Sequence, residues 1–177
     1  MAFANCTGLM EFAVSKANQC YCSVNGLLLS KDGQLLVAGV NRDVMIPECV
    51  TSIAAWAFQG CDGLTSIVLP SSVTHIGESA FGDCSRLRDV TLSENLKAVP
   101  DRLFKGCKAL RTLVVPSSVT HLGRAICSDE TEEVYYLGDA PEYDERVYEN
   151  ASAVLVSYVR EGATGWDKIV TPDVLPY

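Results

Sequence analysis

The sequence predicts a right-handed solenoid with a parallel β-sheet on one face, short helical or irregular turns on the other, and a β-hairpin insertion. Three observations lead to this fold class: a phrase that recurs every 23 residues, an alternating apolar pattern inside each copy, and two Leu/Val-rich runs around a turn near the amino-terminal end. Repeat periods of roughly 20 to 50 residues are typical of stacked architectures, because one copy cannot bury its apolar face alone.

The repeat is clearest over residues 46–123. The phrase AWAFQGCDGLTSIVL, which begins at Ala55, returns as ESAFGDCSRLRDVTL and then as DRLFKGCKALRTLVV. Four of its apolar positions keep the same register, and their members are Phe58, Phe81 and Phe104; Cys61, Cys84 and Cys107; Leu64, Leu87 and Leu110; and Ile67, Val90 and Leu113. We expect equivalent residues to stack about 4.8 Å apart, which is the spacing of neighbouring strands.

Each copy contains the pattern Leu-x-x-Ile-x-Leu, whose last two positions alternate as a half-buried strand requires. The pattern predicts a parallel sheet made from residues near 66–69, 89–92 and 112–115. Pro70 and Pro116 follow two of these strands, where a residue that cannot donate to a sheet is tolerated. The chain is then expected to return across the other face in a short helical or irregular turn.

The hairpin insertion is predicted at residues 21–45. Its two apolar runs flank Lys31-Asp32-Gly33, and Asp-Gly is a favoured pair for a hairpin turn. We expect one domain over residues 1–177, with a partial opening repeat at 1–20, this insertion, regular repeats at 46–123, and a degenerate repeat with a carboxy-terminal cap at 124–177. In that last part the Phe position becomes Cys127 and the Cys position becomes Glu130, which suits a capping repeat.

Composition and charge exclude several classes of protein. An apolar fraction of 48% and a charged fraction of 20% are ordinary for a globular protein, and no apolar run approaches the roughly 20 residues of a membrane-spanning helix. The net charge of −8 comes from residues 129–149, which hold nine acidic side chains and one basic one, whereas residues 86–111 hold seven basic and three acidic. Without a dominant basic surface the chain is not expected to bind nucleic acid.

The opening of the chain repeats the middle of the phrase, since AFANCTGL matches AFQGCDGL. We therefore expect a piece of a longer protein, or a mature domain. The opening residues show no basic region followed by an apolar one, so they contain no predicted signal peptide.

Eight cysteines and two histidines could carry chemistry. The repeated cysteines lack the spacing of metal ligands and are interpreted as buried, reduced core residues, with a disulfide or a metal site as less favoured alternatives. Cys6 holds the same position in the opening copy. His75 and His121 lie two coils apart, about 10 Å, and are predicted at the surface. Asn5 and Asn150 match the N-glycosylation pattern. No catalytic residue, cofactor or metal is predicted.

The stretch LPSSVTHIGESAFGDCSRLRDVTL resembles the BspA-like leucine-rich repeat family, which has treponemal-type 23-residue repeats. The resemblance covers residues 46–123 and extends to FANCTGLMEFAV at 3–14, to the insertion at 21–40, and to VYYLGDAP and YVREGATGW near the carboxy terminus. It implies a leucine-rich repeat fold. It also implies an extracellular or cell-surface protein of a bacterium or protist that takes part in adhesion to host or neighbouring cells.

We therefore expect a non-catalytic binding or adhesion module that acts as a monomer on a protein or cell-surface glycan, without membrane insertion. The predicted contact positions point outward from the sheet and are Ser66, Val68, Asp89, Thr91, Thr112 and Val114; none is a Trp, Tyr or Arg of the kind that dominates binding energy. A flanking basic patch of Arg86, Arg88, Lys108 and Arg111 would steer an acidic partner. The alternatives are a passive spacer that displays another domain and, strongly disfavoured, an enzyme.

Overall fold

The computed structural model describes residues 3–149, 151–152 and 154–166, together with the backbone of 174–176. Strands and turns make up these residues, and no α-helix occurs among them. The strands are β1 Tyr21–Val24, β2 Leu27–Ser30, β3 Leu35–Ala38, β4 Ser52–Ile53, β5 Ser66–Val68, β6 His75–Ile76, β7 Asp89–Thr91, β8 Ala98–Val99, β9 Thr112–Val115, β10 His121–Leu122, β11 Glu133–Tyr136, β12 Glu142–Tyr143, β13 Val156–Val159 and β14 Val174–Pro176.

The predicted parallel strands form one face of a solenoid, which we call the strand face. β5 pairs in parallel with β7 so that Ile67 lies beside Val90. β9, β11, β13 and β14 pair in parallel in that order, with Leu113 beside Val134, and β7 contacts β9 between the two groups. The fold class is therefore confirmed, and the parallel pairing continues beyond residue 123 into the degenerate part of the chain.

The opposite face contains a second ladder of two-residue parallel strands, where the repeat pattern predicted helical or irregular turns. β4 pairs with β6, and β10 pairs with both β8 and β12. The reason lies in the turn that follows each of these strands. Once per coil a residue has a left-handed backbone, with φ of 59° at Trp56, 52° at Ser79, 55° at Arg102 and 49° at Ala125. A single left-handed residue interrupts a right-handed helix, so the connection stays a tight turn.

The insertion is an antiparallel unit of three strands. The predicted Lys31-Asp32-Gly33 turn joins β2 to β3, and φ of Gly33 is 77°. A second turn, Asn25-Gly26, joins β1 to β2 with φ of 55° and 82°, and both positive values suit a type I′ turn. β3 then pairs in parallel with β4, which joins the insertion to the solenoid.

Phenylalanine rings fill the centre of the coils. Phe58, Phe81 and Phe104 are fully buried, and their rings stack with centroids 5.2 Å and 5.8 Å apart. Such offset stacking adds to the free energy gained by burying the rings.

A cysteine ladder of Cys61, Cys84 and Cys107 runs beside these rings, and all three are buried as predicted. The thiols of Cys84 and Cys107 donate to the carbonyl oxygens of Phe58 and Phe81, each at 3.0 Å. Burial raises the pKa of Cys61 and of Cys107 to about 12 and raises that of Cys84 further.

Cys6 departs from this ladder. It is exposed, so the prediction that every member of this repeat position belongs to the core is wrong for the opening copy. The opening residues form the outermost layer of the described stack and are bonded through the amide of Asn5 to the carbonyl of Gln59.

Candidate functional site

Two columns of outward side chains run along the strand face, one residue from each strand. The first is the outer column, in which Val68 lies beside Thr91, and Val114 lies beside Tyr135 and then Tyr158. Met45 precedes Val68 by one repeat. The exposed fractions of Met45, Val68 and Val114 are 78%, 64% and 39%. The second is the inner column, whose members are Ser66, Asp89, Thr112, Glu133 and Val156.

All six predicted contact residues lie on this face. Five of them, Val68, Asp89, Thr91, Thr112 and Val114, are exposed, and Ser66 is half-buried. The structure therefore brings the predicted residues together as two adjacent rows. The outer column holds Val68, Thr91 and Val114, and the inner column holds the hydroxyl or carboxylate groups of Ser66, Asp89 and Thr112.

A pair of tyrosines extends the outer column, and the sequence analysis missed both of them. The rings of Tyr135 and Tyr158 stack with centroids 4.6 Å apart and planes 12° apart. The hydroxyl of Tyr135 donates to a carboxylate oxygen of Glu133 at 3.3 Å. Tyrosine is enriched at binding surfaces because it offers a rigid apolar ring and a polar group at little entropic cost. The repeat of 23 residues between these two tyrosines is the signal that could have found them.

The flanking basic patch lies beside the strand face, and half of its charge is paired. Arg88 contacts Asp89 at 3.2 Å. Arg111 contacts two carboxylates of the acidic segment, Glu130 at 2.7 Å and Glu132 at 3.1 Å. The other two members, Arg86 and Lys108, are exposed and have no ion pair with any residue that the structure describes. The uncompensated positive charge of the patch therefore comes from Arg86 and Lys108.

A cavity of about 930 Å³, which we call the hairpin cavity, lies at the amino-terminal end of the strand face. Ser66, Val68 and Pro70 line it from the first coil, and residues 42–48 line it from the preceding segment. Its remaining lining comes from Glu11 and from the Asn25-Gly26 turn of the insertion. Two of the predicted contact residues are thus part of a concave site.

The groups that could carry chemistry are dispersed. His75 and His121 are exposed, as predicted, and they interact with Thr74 at 2.8 Å and with Glu142 at 2.6 Å, respectively. Over the described residues, no group of three or more His, Cys, Asp or Glu side chains is placed to hold a metal ion. Asn5 is exposed, and Asn150 lies outside the described residues.

Comparison with solved structures agrees with this geometry. A leucine-rich cell surface protein from Faecalibacterium prausnitzii is 23% identical, with a TM-score of 0.77 over 92% of this chain and 44% of that one. A leucine-rich repeat protein from Treponema pallidum is 23% identical, with a TM-score of 0.64 over 92% of this chain and 82% of that one. One from Bacteroides capillosus is 28% identical, with a TM-score of 0.60 over 68% of this chain and 100% of that one. The chain spans less than half the length of the Faecalibacterium protein.

The family follows from the sequence match. No curated protein matches the chain, and the described part of the chain contains no helix long and apolar enough to cross a membrane. A model of the BspA-type leucine-rich repeat region, however, matches residues 41–137 with six copies, which is more than half of the chain. The chain belongs to the BspA-type leucine-rich repeat family.

Proposed function

We propose that this chain is a non-catalytic binding module that recognises a protein through its strand face. The observation that carries the proposal is the outer column, a row with one side chain from each successive coil. Its members are apolar or aromatic except for Thr91, and they are exposed except for the half-buried Tyr135 and Tyr158. Each coil contributes one residue to that row, so a partner laid along the face gains contacts from every strand. Large apolar side chains in one exposed row are typical of interaction surfaces.

The two columns favour a polypeptide partner. The inner column alternates hydroxyl and carboxylate groups, such as Thr112 and Glu133, next to the apolar side chains of the outer column. A protein surface offers both kinds of complement, and an interface usually joins an apolar centre to a polar rim. The stacked pair of Tyr135 and Tyr158 gives this face the aromatic side chains that commonly contribute most to binding energy.

The flanking basic patch supports a second contact. Arg86 and Lys108 project beside the strand face without a described ion pair, so they would attract an acidic region of the partner. Exposed charges of this kind mainly raise the association rate, and their effect falls at high ionic strength.

We also propose that the chain is displayed at the cell surface, in adhesion to host or neighbouring cells. The support is its family together with the likeness to a leucine-rich cell surface protein from Faecalibacterium prausnitzii. A passive spacer is the alternative function, and it predicts that no surface of the coil binds selectively.

The test is binding of the purified chain to an array of secreted and cell-surface proteins. The variant Thr91→Arg with Thr112→Arg places two bulky charges on the strand face, where both side chains are exposed and the fold is expected to tolerate them. We expect it to weaken binding at least tenfold. The matched control, His75→Arg with Ala98→Arg, adds the same charges to the exposed second ladder and should leave binding unchanged.

A second variant separates the two contacts. Arg86→Glu with Lys108→Glu should slow association at low salt and have little effect at high salt. If the folded Thr91 and Thr112 variant binds as well as the original chain, the strand face is not the site. If the chain binds nothing selectively, the spacer alternative is favoured.

A further inference from the structure

The hairpin cavity differs from the rest of the strand face because it is concave. The flat part of the face presents side chains in rows, whereas here the insertion and residues 42–48 form walls around Val68 and Pro70. Met45 also lines the cavity and is 78% exposed. A volume of about 930 Å³ lies within the usual range of sites that enclose a small ligand or part of a chain.

Arg42 fixes the walls of this cavity. Its guanidinium group donates to three backbone carbonyl oxygens, those of Met10 at 3.1 Å, Asn25 at 3.0 Å and Asp43 at 3.2 Å. The side-chain amide of Asn25 in turn donates to the carbonyl oxygen of Met45 at 3.0 Å. The opening segment, the hairpin turn and the approach to the first coil are thus held together before any ligand arrives. A preformed site binds without the entropic cost of ordering its walls.

Asp43, the next residue along the chain, is held by hydrogen bonds to the first coil. Its carboxylate accepts from the amides of Thr65 at 2.7 Å and Ser66 at 3.0 Å, and from the hydroxyl of Thr65 at 2.7 Å. Burial raises its pKa, but these hydrogen bonds and Arg88 outweigh that effect and lower it. The charges of Arg42 and Asp43 therefore serve the fold, and both are already partnered by protein groups.

Two other carboxylates in the cavity are not engaged in this way. Glu11 and Glu48 both line it and are exposed, and neither has an ion pair with any residue in the described ranges. The cavity therefore combines an apolar lining of Val68, Pro70 and Met45 with two carboxylates that have no ion pair among the described residues, whereas Arg42 and Asp43 are held by hydrogen bonds to protein groups. The complement of such a site has an apolar group between positive charges.

We propose that the hairpin cavity binds an extended basic segment of the partner protein, with an apolar side chain on Val68 and Met45 and Lys or Arg side chains beside Glu11 and Glu48. This inference rests on the proposed function, because it assigns a chemistry to one end of the same strand face. An extended chain fits the place, since the cavity opens onto the outer column and the segment could continue along the coils.

The test uses the full chain with methyl-labelled methionine and valine, observed by NMR. The probe is an acetylated hexapeptide with the sequence Lys-Thr-Leu-Thr-Lys-Thr, and its matched control has glutamate in place of both lysines. We expect the methyl resonances of Met45 and Val68 to shift saturably with the basic peptide and to stay unchanged with the acidic one. The methyls of Val154, which is exposed and outside the cavity, should not move.

Variants of the rim separate charge from shape. Glu11→Gln with Glu48→Gln should raise the Kd about five- to tenfold, the size expected for two exposed charge pairs. Glu94→Gln is the matched control, because Glu94 is exposed and holds the position of Glu48 two repeats later, outside the cavity. Val68→Arg replaces an exposed side chain and should abolish the shifts while the chain stays folded.

Three results would overturn the inference. These are equal shifts with the acidic peptide, unchanged affinity in the Glu11 and Glu48 variant, or saturation of the same methyls by a neutral hexasaccharide in place of the peptide. The proposed function is still supported after any of these results if Thr91→Arg with Thr112→Arg weakens protein binding at least tenfold. If instead Thr91→Arg with Thr112→Arg has no effect on protein binding while the basic peptide still binds, the proposed function of the strand face is wrong. The inference that the hairpin cavity binds a basic segment is then unaffected.

Discussion

Replacing Phe81 with alanine tests whether stacked rings hold the coils together. Phe81 is fully buried between two other rings, with centroid distances of 5.2 Å to Phe58 and 5.8 Å to Phe104 and planes 17° apart in both pairs. Removing a buried phenylalanine side chain costs about 3–5 kcal/mol. Each lost ring pair adds about 0.5–1.5 kcal/mol. We expect the variant to lower the free energy of unfolding by about 5 kcal/mol, a large part of the roughly 5–15 kcal/mol of an ordinary domain.

The measurement is urea denaturation followed by circular dichroism. With an m-value of about 2–3 kcal/mol/M, the midpoint should fall by about 2 M. Phe81→Leu is the control, because it keeps most of the volume and should cost about 1–2 kcal/mol. Phe58→Ala should cost about 1 kcal/mol less than Phe81→Ala, since Phe58 has one described ring neighbour and Phe81 has two. A loss below about 2 kcal/mol in Phe81→Ala, or an equal loss at both positions, would refute the stacking argument.

Three further predictions concern the same core. Gly39→Ala should lower the free energy of unfolding by about 1–3 kcal/mol, because a Cβ atom there would meet ring atoms of Phe58 at 2.1 Å. Gly8→Ala is the control, since a Cβ atom at Gly8 would meet nothing within 4 Å. Equal stability of the two variants in urea would contradict this reasoning. The cysteine ladder should resist thiol reagents at pH 8 in the native state and react fully in denaturant, and rapid native labelling would count against its burial. Because folding raises the pKa of Cys61 from 9.0 to about 12, its protonated thiol contributes stability that is complete below pH 9 and is lost as the pH rises towards 12, which urea midpoints across that range would measure.

The repeat predicts the strand face well because the interior of each coil is filled by the same residue types. Ile67 and Val90 occupy equivalent inward positions, and their alternation with outward residues fixes which side chains face solvent. The predicted contact residues therefore fall on one face without any knowledge of the turns. Turn conformation is less predictable, since Trp56 and Ser79 share a left-handed backbone although their side chains have little in common.

The aromatic extension was missed because the coil is shorter by two residues after Cys127. A strict 23-residue step from Val114 leads to Leu137, whereas the structure pairs Val114 with Tyr135. The shortened turn is closed by Thr131, whose hydroxyl donates to the carbonyl oxygen of Leu110 at 3.0 Å. No apolar pattern records such a hydrogen bond, so a fixed 23-residue step from Val114 misses Tyr135. The 23-residue spacing between Tyr135 and Tyr158 is the only trace of the new register in the sequence that we identify.

The hairpin cavity was also beyond the reach of the sequence. Its walls come from segments around residues 11, 25 and 42, and they meet because Arg42 donates to backbone carbonyl oxygens. Any residue can supply a carbonyl oxygen, so the partners of Arg42 leave no signature in the amino-acid sequence. The unpaired state of Glu11 and Glu48 likewise depends on where distant segments lie.

The thiol hydrogen bonds of the cysteine ladder have a consequence for the length of the molecule. The thiol of Cys84 donates to the carbonyl oxygen of Phe58, and the thiol of Cys107 donates to that of Phe81. The same pair of chemical groups therefore joins neighbouring coils at both of these junctions. A genetic duplication or excision of one 23-residue unit preserves that junction, since the incoming cysteine meets a phenylalanine carbonyl whichever coil precedes it. Such a protein can lengthen or shorten its strand face in steps of about 4.8 Å, one strand at a time, while its interior keeps the same contacts.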